Sequence, residues 1–95
     1  MKYKIRDGIV LINVCDEFFL VSGKSARQYC PYIAKISDSG ALIWSLLSEN
    51  KSIEEIEDEV ALNYEIEKDS DLRSNIQEFL NDLNDRHYLM QLEDL

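Results

Sequence analysis

The hydrophobic period of this chain changes once, at Ser37, and no other feature constrains its fold as much. Before that point apolar residues come in short, β-branched runs bounded by turn residues. After it they recur at steps of three and four, the spacing of a helical stripe. Gly8-Ile9-Val10-Leu11-Ile12-Asn13-Val14 reads as a strand bounded by Asp7-Gly8 and Asp16-Glu17. Glu17–Ser22 follows after a turn too short for a crossover helix, so the two strands pair as an antiparallel hairpin. Upstream, Tyr3 and Ile5 alternate with Lys2, Lys4 and Arg6, which fits either an early start to the first strand or a short extra edge piece. The polar, Gly/Ser-rich stretch Ser22–Gln28 is a loop. The single proline, Pro31, precedes Tyr32–Ile36. Lacking an N–H, proline suits the start of a strand and not its middle, so Tyr32–Ile36 is a third, short edge strand.

From Ser37 onward three helices are expected. Ser37-Asp38-Ser39 offers N-cap oxygens to a helix through Gly40–Leu47, which is apolar nearly all round and therefore buried. Ser48–Lys51 breaks it. Ser52-Ile53-Glu54-Glu55 has the form of a capping box, in which the two side chains satisfy each other's free N–H groups. Ile53, Ile56, Val60 and Tyr64 then share one face, and Glu54, Glu55, Glu57, Asp58 and Glu59 fill the solvated remainder. After a charged linker, Asp69 or Ser70 caps a third helix whose core stripe is Leu72, Ile76, Phe79, Leu80 and Leu83. Asn84–His87 ends it, Tyr88–Met90 folds back over the core edge, and Gln91–Leu95 is expected to fray. Three strands followed by three helices is α+β.

Ninety-five residues make one domain, 1–95, that folds to a surface of about 5,600 Å² and buries roughly 65% of the extended chain's area. Charge is segregated. Residues 1–36 carry six Lys and Arg against three acids, whereas 37–95 carry four against sixteen, for the net −9 of the whole chain. Such an acidic helical half repels phosphate backbones, so a nucleic-acid partner is not expected. The longest apolar runs, Ile9–Ile12 and Phe18–Val21, are far too short for a membrane span, and the N-terminus lacks an apolar signal core. A cytoplasmic address is expected, with no membrane partner.

Little in the chain suggests catalysis. Gly8, Gly23 and Gly40 are isolated, and Gly23-Lys24-Ser25 lacks the upstream glycine of a phosphate loop. Cys15 and Cys30, with the single His87, match no zinc spacing and are expected as free thiols. Cys30 with His87 could be imagined as a thiol pair, but no third orienting group is suggested. Trp44 sits in an apolar helix and belongs to the core. No cofactor is expected. What remains is a binding surface: an edge strand with unpaired backbone groups can accept an extended peptide, provided a neighbouring wall supplies pockets, and the last helix could be that wall.

Taken together, the hairpin Ile9–Val14 and Glu17–Val21, Gly40-Ala41-Leu42-Ile43-Trp44, Ser52-Ile53-Glu54-Glu55-Ile56 and the closing Phe79, Leu80, Leu83 stand in a recognisable order. The chain resembles the PqqD-like family of RiPP recognition elements, which bind leaders of ribosomally made, post-translationally modified peptides. The resemblance covers nearly all of residues 8–90. It departs where Ile36-Ser37 replaces the family's Leu-Asn, and where Tyr88-Leu89 replaces its Gly-Leu. It implies a winged-helix-like α+β fold, a three-stranded antiparallel sheet followed by three helices, and a protein that is not an enzyme. It also implies that a leader peptide adds as a strand to Tyr32, Ile33, Ala34, Lys35 and Ile36. Pockets would come from Arg73, Ile76, Gln77, Leu80, Asn81 and Asn84, with core membership the competing role for Ile76 and Leu80. The basic first third would then steer an acidic leader segment toward the cleft. The implied partners are a precursor peptide and a modifying enzyme, such as a radical SAM enzyme or a leader peptidase.

Two other classes compete. A winged-helix DNA-binding or transcription-regulator module has the same element order, but it needs a basic recognition helix, and both candidates here are acidic. An assembly subunit would use the same strand edge to dimerise.

Overall fold

The computed structural model describes residues 2–92. In chain order the elements are β1 (Lys2–Ile5), β2 (Ile9–Val14), β3 (Glu17–Ser22), β4 (Ile33–Ile36), α1 (Asp38–Ser48), α2 (Ile53–Tyr64), α3 (Ser70–Asp85) and β5 (Leu89–Leu92). The fold is α+β, with an antiparallel sheet of order β2-β3-β4 and three helices. A two-residue turn joins β2 to β3. Cys15 and Asp16 both have positive φ (52° and 64°), the conformation that matches the right-handed twist of a hairpin. The Gly23-Lys24-Ser25 stretch is a turn: the Gly23 N–H donates to the Gly8 carbonyl at 2.6 Å, and the Gly23 carbonyl accepts from Ala26 and Arg27.

Helix starts follow the expected capping chemistry. Ser37 Oγ accepts the Gly40 N–H at 3.1 Å, and Asp69 Oδ1 accepts the Leu72 N–H at 2.9 Å. At α2 both halves of the capping box are present, Glu55 N–H to Ser52 Oγ at 3.2 Å and Ser52 N–H to Glu55 Oε1 at 3.1 Å. α1 packs on one face of the sheet, α3 borders β4 on that face, and α2 packs against α1 and α3. Ile9 and Leu20 from the strands meet Ile43, Trp44, Ile56, Val60, Leu72, Ile76, Leu80 and Leu83, all buried in one cluster. Each such aliphatic side chain contributes about 1.5–3 kcal/mol when fully removed from water. Trp44 lies edge-on to Tyr88, ring centroids 6.3 Å apart.

The molecule is a slab of 42 × 39 × 20 Å, one sheet layer and one helix layer thick. Its surface, 6440 Å², exceeds the size-based expectation because a slab is less economical than a sphere and, among the described residues, one sheet face has no second layer.

Three expectations need correction. Residues 2–5 neither extend β2 nor add to its edge. They form β1, which pairs with β5 in a separate two-stranded antiparallel ladder, Lys2 opposite Leu92 and Ile5 opposite Leu89. Gln91 and Leu92 are therefore paired strand residues and not a frayed end; residues 93–95 lie outside the described residues. Two short segments far apart in sequence supply each other's backbone partners, which neither reveals alone. Finally, Glu57 is not solvated: it is 2% exposed, and Arg73 Nε and Nη2 both lie 2.7 Å from its Oε1. Position 57 flanks the Ile53–Ile56–Val60 stripe on the side where α3 packs, so its carboxylate is covered and needs a charged partner. No helix among the described residues is long and apolar enough to cross a membrane.

Candidate peptide-binding site

β4 lies at the end of its sheet with β3 as its one strand neighbour, so its other side is open among the described residues. The ladder's register says which groups face outward. Ser22 N–H donates to the Tyr32 carbonyl at 2.9 Å, and Leu20 stands opposite Ala34 and Phe18 opposite Ile36. In an antiparallel pair, bonded and non-bonded positions alternate, so Tyr32, Ala34 and Ile36 turn their backbone groups toward β3. Ile33 and Lys35 turn theirs away. Two residues thus present two N–H groups and two carbonyls along the free edge, and Tyr32 flanks the strand itself, which begins at Ile33.

Side chains alternate the other way. Ala34 and Ile36 are half-buried and face the helices, while Ile33 and Lys35 are exposed on the outer face. Beside Ala34 and Ile36 opens a cleft against α3, holding a cavity of about 130 Å³. Leu20, Leu83 and Tyr88 line it from the core side, Phe79 from α3, and Asp82 and Arg86 stand at its α3 rim, with the β4 strand at Ala34–Ile36 across from them. Gly40 makes this packing possible: a Cβ there would fall 2.8 Å from Ile36 Cγ1 and 3.0 Å from Phe79 Cζ. The rim cation Arg86 is already engaged with Asp82 at 3.4 Å, while the Lys35 ammonium lies on the outer face and pairs with Glu17 at 2.9 Å. The rim is close to neutral.

Of the α3 residues expected at this cleft, the structure brings none to its lining. Ile76 and Leu80 are core residues, 2% and 0% exposed. Arg73 pairs with Glu57 between α2 and α3. Gln77 donates to Asn81 Oδ1 at 3.1 Å, and the same oxygen accepts the Tyr3 hydroxyl at 3.3 Å, which puts this pair on the β1 flank. The Asn84 carbonyl caps the helix end, accepting the His87 N–H at 3.1 Å. The wall toward β4 is instead the line Phe79, Asp82, Leu83, Arg86, spaced by three and four on the opposite flank of the core stripe. An amphipathic stripe marks the buried side of a helix and says nothing of which flank meets which strand. Sequence offered one hint, Phe79, an aromatic at the edge of the stripe. At the start of the edge strand, Tyr32 is 57% exposed with the Arg27 guanidinium 4.2 Å over its ring.

Cys30 is buried, and its Sγ–H reaches the backbone carbonyls of His87 and Arg86 at 3.4 and 3.7 Å; it does not meet the His87 imidazole. Burial pushes its thiol above the ordinary value, only partly offset by Arg6, opposite to the shift of a nucleophilic cysteine. The His87 ring instead tilts against Tyr29. Cys15 is exposed and free. Among the described residues no group of three or more His, Cys, Asp or Glu is placed to hold a metal.

An open-edged antiparallel sheet with a helix-walled cleft along its free strand defines a class of strand-accepting domain. The profile of the family described as coenzyme PQQ synthesis protein D (PqqD) matches residues 32–89, from the edge strand through α3 to the start of β5, and the chain belongs to that family. Two solved structures share the fold. One, titled TbiB1 in complex with the TbiA(beta) leader peptide, is 27% identical, with a TM-score of 0.75 over 96% of this chain and 99% of that one. The other, lasso peptide synthetase B1 complexed with the leader peptide, is 19% identical, with a TM-score of 0.76 over 96% and 100% of the two chains. No curated protein matches.

Proposed function

We propose that this chain is a non-catalytic recognition element that binds the leader of a ribosomally made precursor peptide and presents it to a modifying enzyme. The guest adds as a fourth strand to β4, closing hydrogen bonds with the outward backbone groups of Ile33 and Lys35. Its inward side chains enter the cleft over Ala34, between Phe79, Leu83 and the Asp82–Arg86 rim. The observation that carries this reading is the edge of β4, unpaired among the described residues, beside a cleft with an apolar floor and a charged rim. Membership of the PqqD family and the leader-bound state of the similar TbiB1 structure support it. Strand addition needs both features, because the ladder supplies affinity and pockets for alternate side chains supply specificity.

A DNA-binding reading gains nothing from the geometry. The exposed face of α2 carries Glu54, Glu55, Asp58 and Glu59, which repel phosphate. The deciding experiment titrates isotope-labelled protein with a synthetic precursor leader peptide. Amide shifts at Ile33, Lys35 and Phe79–Arg86 are expected. Shifts confined to α2, or none at all, would reject the reading.

A further inference from the structure

The longest stretch of this chain without an acidic residue runs from position 18 to position 37. It is 20 residues long in a chain that carries 19 acidic groups, and it holds both the β3–β4 loop and all of β4. Three cations stand in it, Lys24, Arg27 and Lys35. Lys35 is paired with Glu17 at 2.9 Å, and Lys24 is exposed in the turn after β3. Arg27, alone of the three, is fixed in place without a counter-charge. Its Nε donates to the Ser22 carbonyl at 3.1 Å, and its guanidinium lies 4.2 Å over the Tyr32 ring. Arg73 and Arg86 each have a carboxylate partner; Arg27 has none among the described residues. Arg6 is held in a similar way, Nε on the His87 carbonyl and guanidinium over Tyr29, but it stands at the C-terminal end of α3, where the helix dipole favours a cation. No such helix end accounts for the charge of Arg27.

The register says where this guanidinium sits relative to the cleft. Val21 stands opposite Ile33, so the next pair is Ser22 with Tyr32, joined by the Ser22 N–H on the Tyr32 carbonyl. Opposite residues share a face, and Ser22 is buried on the core side, so Tyr32 belongs to the cleft face with Ala34 and Ile36. Arg27 therefore stands at the Tyr32 end of the cleft, on the face that receives a guest's inward side chains. An exposed ion pair is ordinarily worth little, in part because two flexible side chains must be ordered to make it. Here one of them is ordered beforehand, by a backbone hydrogen bond and an aromatic ring. The N–H donors that Arg27 does not spend on Ser22 form the planar fork that matches a carboxylate.

We infer that Arg27 is the receptor for one carboxylate of the guest, an Asp or Glu side chain at the Tyr32 end of its strand-paired segment. The inference rests on the leader-binding reading above. It gives the guest a fixed register. A backbone ladder repeats every two residues, so hydrogen bonds to Ile33 and Lys35 alone allow the peptide to slip along β4 in steps of two. A single charged residue seated on Arg27 removes that freedom, because the slipped alignments leave its carboxylate away from the guanidinium. The basic character of the first third of the chain thus acts at one point, as a specificity contact, beyond any general attraction of acidic peptides.

The test follows a synthetic precursor leader peptide by fluorescence anisotropy on the full chain, with wild-type binding measured first. Each Asp and Glu of the peptide is then changed singly to Asn or Gln, which leaves the protein's own fold untouched. One such change is expected to weaken wild-type binding about five-fold or more, and Arg27→Gln to weaken binding of the unaltered peptide to a similar degree. The two together should cost no more than either alone, because they remove the same pair. Lys24→Gln deletes an equal charge from the same loop and should weaken binding less than about two-fold, since that ammonium is not held in place. Equal losses in Lys24→Gln and Arg27→Gln would mean a diffuse field and overturn the inference. So would a leader whose affinity survives every acid-to-amide change, or losses that add when the two substitutions are combined. A wild-type chain that binds no leader overturns the reading beneath it, whatever Arg27 does.

Discussion

Strand addition to β4 makes a prediction about odd and even residues that few other binding modes share. Proline removes one backbone N–H, and on this strand the consequence depends on parity. At Lys35 the N–H points to the free edge, so Lys35→Pro leaves the β3–β4 ladder whole. It removes the exposed Lys35–Glu17 pair, worth about 0–1 kcal/mol. The folded protein should therefore survive nearly unchanged. A guest strand, however, loses one hydrogen bond and keeps an unpaired carbonyl, about 1–3 kcal/mol together, or five- to 150-fold in Kd. Ile33→Pro should behave likewise. At Ala34 the N–H points to Leu20 on β3, a strand in the core. Ala34→Pro strips a ladder bond beside the buried Leu20 and should lower stability by about 1–3 kcal/mol before any peptide is added. Fluorescence anisotropy of labelled leader gives the affinities, and urea denaturation gives the stabilities. If Lys35→Pro binds leader like wild type, or if Ala34→Pro is as stable as wild type, the register argument fails and the guest does not extend this sheet.

Further outcomes follow from the packing. Arg73→Ala should lower stability by about 1–3 kcal/mol, because the buried Glu57 loses its partner, with the half-exposed arginine keeping the figure below that of a fully buried pair; leader affinity, read in the same anisotropy assay, should not move. Gly40→Ala should cost about 1–3 kcal/mol by overpacking Ile36 and Phe79, and should weaken leader binding by shifting the cleft wall. Tyr88 carries a buried hydroxyl without a hydrogen-bond partner, so Tyr88→Phe should leave thermal stability unchanged or raise it by up to about 1 kcal/mol. Glu55 is held below the ordinary carboxylate range, chiefly by the Ser52 backbone N–H that it accepts. A depressed folded pKa stabilises above the unfolded value and loses that contribution as pH falls through the folded one. Glu55→Gln should therefore flatten the acid limb of an unfolding curve relative to wild type, and an unchanged limb would exclude the capping box as its source.

Much of this architecture was legible in the residues themselves, because it is decided locally. The change of period at Ser37, the cap chemistry of Ser37, Ser52 and Asp69, and the lone Pro31 ahead of the edge strand each act within a few residues of chain. So does the turn at Cys15-Asp16, whose shortness forces an antiparallel pair and leaves the last strand at an edge. Tertiary structure alone decided everything that depends on how elements cross. It turned Phe79, Asp82, Leu83 and Arg86 toward β4, and Gln77 and Asn81 toward β1, because a helical stripe defines a buried side without distinguishing its two flanks. It joined β1 to β5 across nearly the whole chain, buried Glu57 against Arg73, and selected Ile33 and Lys35 as the residues with free backbone groups. Contacts between residues distant in sequence are set by packing, and packing is a property of all the elements at once.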